Sequence, residues 1–368
     1  MKNNPPSASC PQKRVTLTLS FALLLLIAAG GGYVAYQHVA DVRETSESNL
    51  VNDIGDTTTP EETSGGVASE PTLVHAGNEE ETSLMTAARE GNLQTLRHLI
   101  DQGADIHATD DYDWTALHHA AGGNHEAAIR ILIEKGAQVH AVDQSGRTAL
   151  HIAAIYDSPD AVRTLISLGA NVRAYTEELG TPLHYAALNG HSDICLILIE
   201  NGADIHAKGI DEQTPLHIAA QEAHGQTILA LANKGANILA EDISGSLPIQ
   251  KAAEYGNISA LQAFLDLGAD VNMADSLGRR LIHEAAAAGK TAAVLFLLEK
   301  GVPIDIQAND GITPLMLAAR YNKQESVQAL LQKGADKTIK DKDGKTAPDY
   351  AQEYASRNYD QTVLQLLQ

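Results

Sequence analysis

Apolar and polar positions divide the chain into three regimes. From Val15 to Tyr36 no charged residue occurs, and the run from Leu17 to Ala29 is apolar apart from Thr18 and Ser20. About 20 such residues suffice to cross a bilayer as one helix, so a transmembrane signal-anchor helix is expected over residues 15–36. Residues 37–81 show no apolar period. From residue 82 onward apolar residues recur at helical spacing in short clusters, such as Ile194, Cys195, Ile197, Leu198 and Ile199, each ending close to a glycine. These glycines, Gly103, Gly136, Gly169, Gly202, Gly235, Gly268, Gly301 and Gly334, are spaced by 33 residues without a slip. A second marker in phase opens each unit: Thr82, Thr115, Thr148, Thr181, Thr214, Leu247, Arg280, Thr313 and Thr346. A period of this size means that each unit is one supersecondary element, unable to bury its apolar face alone and completed by its neighbours.

Local chemistry agrees with helices at these positions. A threonine just before the first helix of a unit can cap free N–H groups, and Pro182 at the first helical position loses no hydrogen bond there. The glycine ends the second helix, where a left-handed residue is needed. The sixth unit, Leu247-Pro248-Ile249-Gln250, and the seventh, Arg280-Leu281-Ile282-His283, both lack the threonine. Lost caps cost about 1 kcal/mol each, so this junction is expected to be the weakest of the stack. Thr82-Ser83-Leu84-Met85 at one end, and Val363, Leu364, Leu366 and Leu367 at the other, read as terminal caps.

Thr181-Pro182-Leu183-His184, Thr214-Pro215-Leu216-His217, Gly190-His191, Gly202-Ala203-Asp204 and Gly268-Ala269-Asp270-Val271-Asn272 resemble the motifs of the ankyrin repeat, over roughly residues 80–368. The resemblance implies an all-α solenoid of about nine helix-turn-helix units with β-turn hairpins, curved so that one face is concave. It also implies that a partner is read by the hairpin tips and by the exposed side of each first helix. At the tips stand Asp111, Tyr112, Asp113 and Trp114, then Glu177, Glu178, Asp211, Glu212 and Glu241. Eight residues after successive markers come Tyr156, Asn189, Glu222, Tyr255 and Tyr321. Tyrosine and tryptophan are frequent energetic anchors of interfaces, and Trp114→Ala is expected to weaken partner binding at unchanged thermal stability.

Charge sharpens the partner class. The net charge is −21, distributed as +3 over residues 1–40, −10 over residues 41–81 and −14 over the repeats. Nucleic acid needs clustered cationic side chains and is not expected; a protein with a basic face is. Lys337, Lys340, Lys342 and Lys345 alternate with Asp336, Asp341 and Asp343 and read as a solvated mixed-charge face. The acidic linker over 37–81 is expected to be a disordered, extended tether. Lys2, Lys13 and Arg14 precede the apolar run, which places residues 1–14 in the cytoplasm and the repeats outside. The alternative is a cleaved signal peptide ending near Ala28-Ala29-Gly30, which would make the chain a secreted or surface factor or inhibitor. Hairpins carrying His107, His140 and His206 look like those of bacterial ankyrin proteins, which points to the inner membrane and periplasm.

Candidate chemistry is sparse. His118, His151, His184, His217 and His283 share one slot three residues after the marker, and His125, His191 and His224 share the interhelix turn, so one period accounts for them. His118-His119 with His125 is the one local cluster suited to a metal titration. Gly289-Lys290-Thr291 lacks the upstream glycine of a phosphate-binding loop, because Glu284 stands there. No cofactor, metal or enzymatic activity is expected. Cys10 and Cys195 are too far apart in the anchored reading to pair, and Cys195 reads as a buried hydrophobe. In a eukaryotic setting Asn257-Ile258-Ser259 is a glycosylation sequon.

Overall fold

A computed structural model describes residues 83–358 and 360–368. The amino-terminal segment 1–14, the expected signal-anchor helix 15–36 and the linker 37–81 lie outside the described residues. Among the described residues no helix is long and apolar enough to cross a membrane.

Among the described residues nine antiparallel helix pairs follow one another: α1 (Ser83–Glu90) and α2 (Leu93–Asp101), α3 (Ala116–Gly122) and α4 (Glu126–Glu134), α5 (Ala149–Ile155) and α6 (Pro159–Ser167). Next come α7 (Pro182–Leu188) and α8 (Ser192–Glu200), α9 (Pro215–Gln221) and α10 (Gly225–Asn233), α11 (Pro248–Tyr255) and α12 (Ile258–Asp266). The series ends with α13 (Leu281–Ala288) and α14 (Thr291–Glu299), α15 (Pro314–Arg320) and α16 (Gln324–Gln332), α17 (Ala347–Asn358) and α18 (Thr362–Leu367). First helices stack on first helices and second on second, so the substantial contacts between repeats are made with the adjacent repeat. The hairpins stay turn-like: three isolated antiparallel bridges, such as Thr109 with Thr115, are formed, and no strand occurs among the described residues.

The core follows from side-chain size. The first eight of the first helices present a pair of alanines, for example Ala120 and Ala121, Ala186 and Ala187, or Ala285 and Ala286, these six fully buried. Small residues let the stacked first helices approach closely, while the second helices supply bulk through Ile129, Leu165, Leu198 and Phe264. The glycines spaced by 33 have φ from +87 to +106, and a Cβ added at any of them would meet nothing within 4 Å. Backbone conformation alone therefore selects glycine there, to end the second helix in the left-handed region. A second left-handed slot lies in the first eight interhelix turns, where Gly91, Asn124, Asp157, Gly190, Ala223, Gly256, Gly289 and Asn322 all have positive φ. Seven of the eight are residue types that tolerate it; Ala223, at φ +66, is the one that does not.

The histidine slot differs from the expectation of a plain threonine cap. In four repeats the marker Thr N–H donates to the histidine Nδ1 three residues on, at 3.1 Å for Thr115, Thr148, Thr181 and Thr214. The threonine Oγ1 lies 2.9–3.0 Å from the same nitrogen rather than accepting from the helix. An N–H can only donate, so Nδ1 is the acceptor and the neutral ring carries its proton on Nε2. That Nε2–H then donates into the following repeat, to the carbonyls of Arg147, Gln213, Ser246 and Ile312 from His118, His184, His217 and His283, at 3.0–3.2 Å. Threonine caps by itself only where the histidine is missing: Met316 N–H donates to Thr313 Oγ1 at 3.3 Å.

The sixth and seventh repeats consequently keep more of the cap than the sequence suggests. Leu247 N–H donates to Gln250 Oε1 at 2.8 Å, and Arg280 N–H to His283 Nδ1 at 3.1 Å. The residue three places on serves as the acceptor whatever stands at the marker, and in the last repeat Asp349 does the same for Thr346.

Two outcomes are expected from these features. Burial lowers the pKa of His118, His217 and His283 and pushes His151 and His184 down to about 4. The unfolded chain binds these protons near pH 6.5 and the folded chain does not, so stability is full above pH 6.5 and falls as pH drops toward 4. For His151 and His184 the loss is on the order of 3 kcal/mol each, read as a steep fall in Tm across that window and a flat profile from pH 7 to 8. Separately, Ala223→Gly relieves a left-handed alanine and is expected to raise the unfolding free energy by about 1 kcal/mol in urea titrations.

Candidate functional site

Five of the hairpin tips are each folded by one carboxylate. The Asp110 Oδ1 accepts the N–H groups of Tyr112 and Trp114, both at 2.9 Å. Asp143, Asp242, Asp275 and Asp341, in the same slot of their repeats, make this clasp on the two residues equivalent to those. Adjacent tips are then linked by backbone bonds, such as Gln144 N–H to the Tyr112 carbonyl at 3.2 Å and Ile243 N–H to the Asp211 carbonyl at 2.8 Å. The sequence reading missed these aspartates, although their spacing of 33 or its multiples was available as a signal.

Trp114 is held rather than free. Its Nε1–H donates to Asp143 Oδ2 at 3.1 Å, its ring meets Tyr156 edge-on at 6.2 Å between centroids, and it packs on His119 at 5.3 Å. Asp143 is 4% exposed and also takes Arg147 Nε at 2.7 Å, so Trp114 closes a buried ionic clasp between the second and third repeats. This corrects the expectation that its truncation leaves thermal stability untouched. Asp111 and Tyr112 project beside it, Tyr112 at 69% exposure.

The structure brings Trp114 and Tyr156 together and spreads the remaining positions along the line of first-helix ends. Tyr156 is half-buried, and burial raises its phenol pKa. Asn189 turns its amide back onto the Tyr185 carbonyl at 2.9 Å, which leaves its oxygen as the outward group. Tyr255 and Tyr321 are exposed. At the fourth tip Glu177 is exposed, whereas Glu178 is half-buried, and its Oε2, like His151 Nε2, has no hydrogen-bond partner among the described residues. Glu178 thus contributes to the inside of its tip.

Around the fifth to seventh repeats the carboxylates crowd. Burial raises the pKa of Glu222 and of Glu284, and the Glu254 charge raises Glu284 further against the opposing effect of Arg279. The cation that acts on Glu254 and Glu284, Lys251, is already engaged by Asp242 at 3.1 Å and Glu254 at 3.3 Å. Exposed Asp211, Glu241, Ile243 and Leu277 stand on the tips beside this group.

The remaining candidates are accounted for by separate bonds. His119 pairs with Asp110 at 2.9 Å and His125 reaches the Arg89 carbonyl at 2.9 Å, while His118 belongs to the cap. Among the described residues no three His, Cys, Asp or Glu side chains converge as metal ligands. Gly289-Lys290-Thr291 is the α13–α14 turn. Asn257 spends its side-chain amide on the carbonyls of Ala220 and Gln221, which withdraws the sequon from modification. Lys337 is bound to the Leu367 carbonyl and Lys345 to Glu353, so half of the expected lysine face is tied down. Cys195 is fully buried, and burial pushes its thiol up to about 12.

Trp114→Phe keeps most of the packing and deletes the bond to a charged acceptor. The expected cost is roughly 1–2 kcal/mol, measured as a lower urea midpoint at unchanged m-value.

A family model of ankyrin repeats matches residues 84–176, 139–209, 174–242, 249–341 and 282–368. Among solved structures, the ankyrin repeat domain of human ASB11 is similar at 28% identity and a TM-score of 0.53, covering 61% of this chain and 99% of that one. A search of curated proteins found no match. The helix pairs, the marker-to-histidine cap and the family model converge, and the chain belongs to the ankyrin-repeat family.

Proposed function

We propose that this chain is a membrane-tethered recognition scaffold that binds a protein through its hairpin tips and first-helix ends and carries out no chemistry of its own. Ankyrin repeats serve as scaffolds for protein–protein interaction, and the partner class follows from the surface. The observation that carries the reading is the pairing of Glu254 and Glu284 about one occupied lysine, next to exposed Tyr255, whose phenol also feels the Glu222 charge. A basic segment supplies the missing counter-charge, and the tyrosines supply apolar contact area. Trp114 and Tyr156 form a second, more rigid contact point on the same line, flanked by Asp111 and Tyr112. Residues 15–36 are the anchor in this reading, with residues 37–81 as an acidic spacer and the repeats on the extracytoplasmic side.

Two measurements test it. Lys/Arg-rich peptides should bind the full-length chain more weakly as salt rises. Replacing Glu222, Glu254 and Glu284 with Gln should weaken that binding about tenfold. Equal binding of Asp/Glu-rich peptides overturns the charge argument. Amino-terminal sequencing of the chain from cells should find its start intact; a start near Gly30 would instead establish a released factor.

A further inference from the structure

Three polar ties recur between adjacent repeats. One is the backbone bond from tip to tip. The second is the bridge from the helix-start histidine to the next repeat. The third is a side chain in the interhelix turn reaching back to a carbonyl of the previous turn, as His224 Nε2 does to Leu188 at 2.9 Å. The second–third, fourth–fifth and fifth–sixth junctions have all three. At the fourth–fifth they are Ile210 N–H to the Leu179 carbonyl, His184 to Gln213 and His224 to Leu188. At the fifth–sixth they are Ile243 N–H to the Asp211 carbonyl, His217 to Ser246 and Asn257 to Ala220.

The sixth–seventh junction has none of the three among the described residues. No backbone bond joins Ser276 to Ser244, whereas the next tip pair has Asn309 N–H on the Leu277 carbonyl at 2.9 Å. Gln250 stands in the histidine slot, and its one hydrogen bond is spent on Leu247 N–H. Lys290 stands in the turn slot, where its aliphatic stem covers Gly256 instead of bonding to a carbonyl. Across the gap the Glu254 charge opposes that of Glu284. The polar link that does cross is exposed, Lys300 Nζ to Gln262 Oε1 at 2.8 Å. Apolar burial through Ile249, Ala252, Ala253, Leu281, Ile282 and Ala285 therefore holds the junction almost alone.

We infer that the junction between the sixth and seventh repeats is a hinge, at which the array opens first and repeats seven to nine separate from one to six as a block. Stability in such an array is a sum over nearest-neighbour interfaces, so the interface stripped of its polar ties is the one that yields. The apolar contacts are not directional and tolerate a change of angle that three hydrogen bonds would forbid. Tyr255 sits at the end of α11, on the edge of this opening, so the spacing between Tyr255 and Tyr321 changes as the hinge moves.

Hydrogen exchange on the full-length chain tests the hinge. Peptides spanning 248–266 and 281–299 should exchange about a hundredfold faster than those spanning 182–200 and 215–233, since each missing bond shifts an opening equilibrium several-fold. Gln250→His with Lys290→Asn restores two of the ties and should slow exchange at the junction about tenfold. His217→Gln with Asn257→Lys strips the fifth–sixth junction and should extend fast exchange to 215–233. Equal protection of the four spans in the unmodified chain, or restored ties that leave exchange unchanged in a folded variant, overturns the inference.

Discussion

A repeat in this array is completed by its neighbours, and much of the polar part of that completion passes through one imidazole. Its Nδ1 must accept the marker N–H, which leaves Nε2–H as the donor to the next repeat. One ring thus starts a helix and ties two repeats together, and it can do both only while uncharged. A second proton would set an N–H against an N–H, and burial penalises the charged ring, which is what depresses these pKa values. The scaffold accordingly depends on a protonation state as well as on apolar area.

Most of the architecture was legible because period is a strong signal. Eight glycines and nine markers in register located the helix pairs, and the left-handed φ of those glycines explains why the type recurs. What the sequence concealed was the direction of the bonds. Thr115 looks like the capping residue and His118 like a structural hydrogen-bonding residue of the turn, whereas the histidine itself takes the backbone N–H and the threonine hydroxyl leans on the histidine. Side-chain geometry decides such roles, and linear spacing does not carry it. Trp114 was misjudged for a similar reason: its place at the tip suggested a free anchor, while Asp143, a period beyond Asp110, lay in reach of its indole. Leu247 and Arg280 suggested two lost caps, yet the acceptor three residues on survives both changes.

Recognition and stability share residues along the tip line. The clasping aspartates spend one carboxylate oxygen on the backbone, so a part of the negative charge of the repeats is internal wiring. Exposed Glu177, Asp211 and Glu241, with the half-buried glutamates of the middle repeats, are among the charges that an approaching molecule would meet. Long-range attraction of this kind speeds encounter and weakens with salt, whereas the ring faces of Tyr112, Tyr255 and Tyr321 act only at contact.

The burial of Cys195 reaches beyond packing. Its sulfur is sealed among the second helices and stays protonated at any ordinary pH, which leaves Cys10 as the other sulfhydryl of the chain. If the chain is tethered as proposed above, an impermeant alkylating reagent added to one side of a sealed vesicle reports on which side residue 10 resides. The repeat domain remains silent in that assay for as long as it is folded, and its labelling becomes a clock for unfolding.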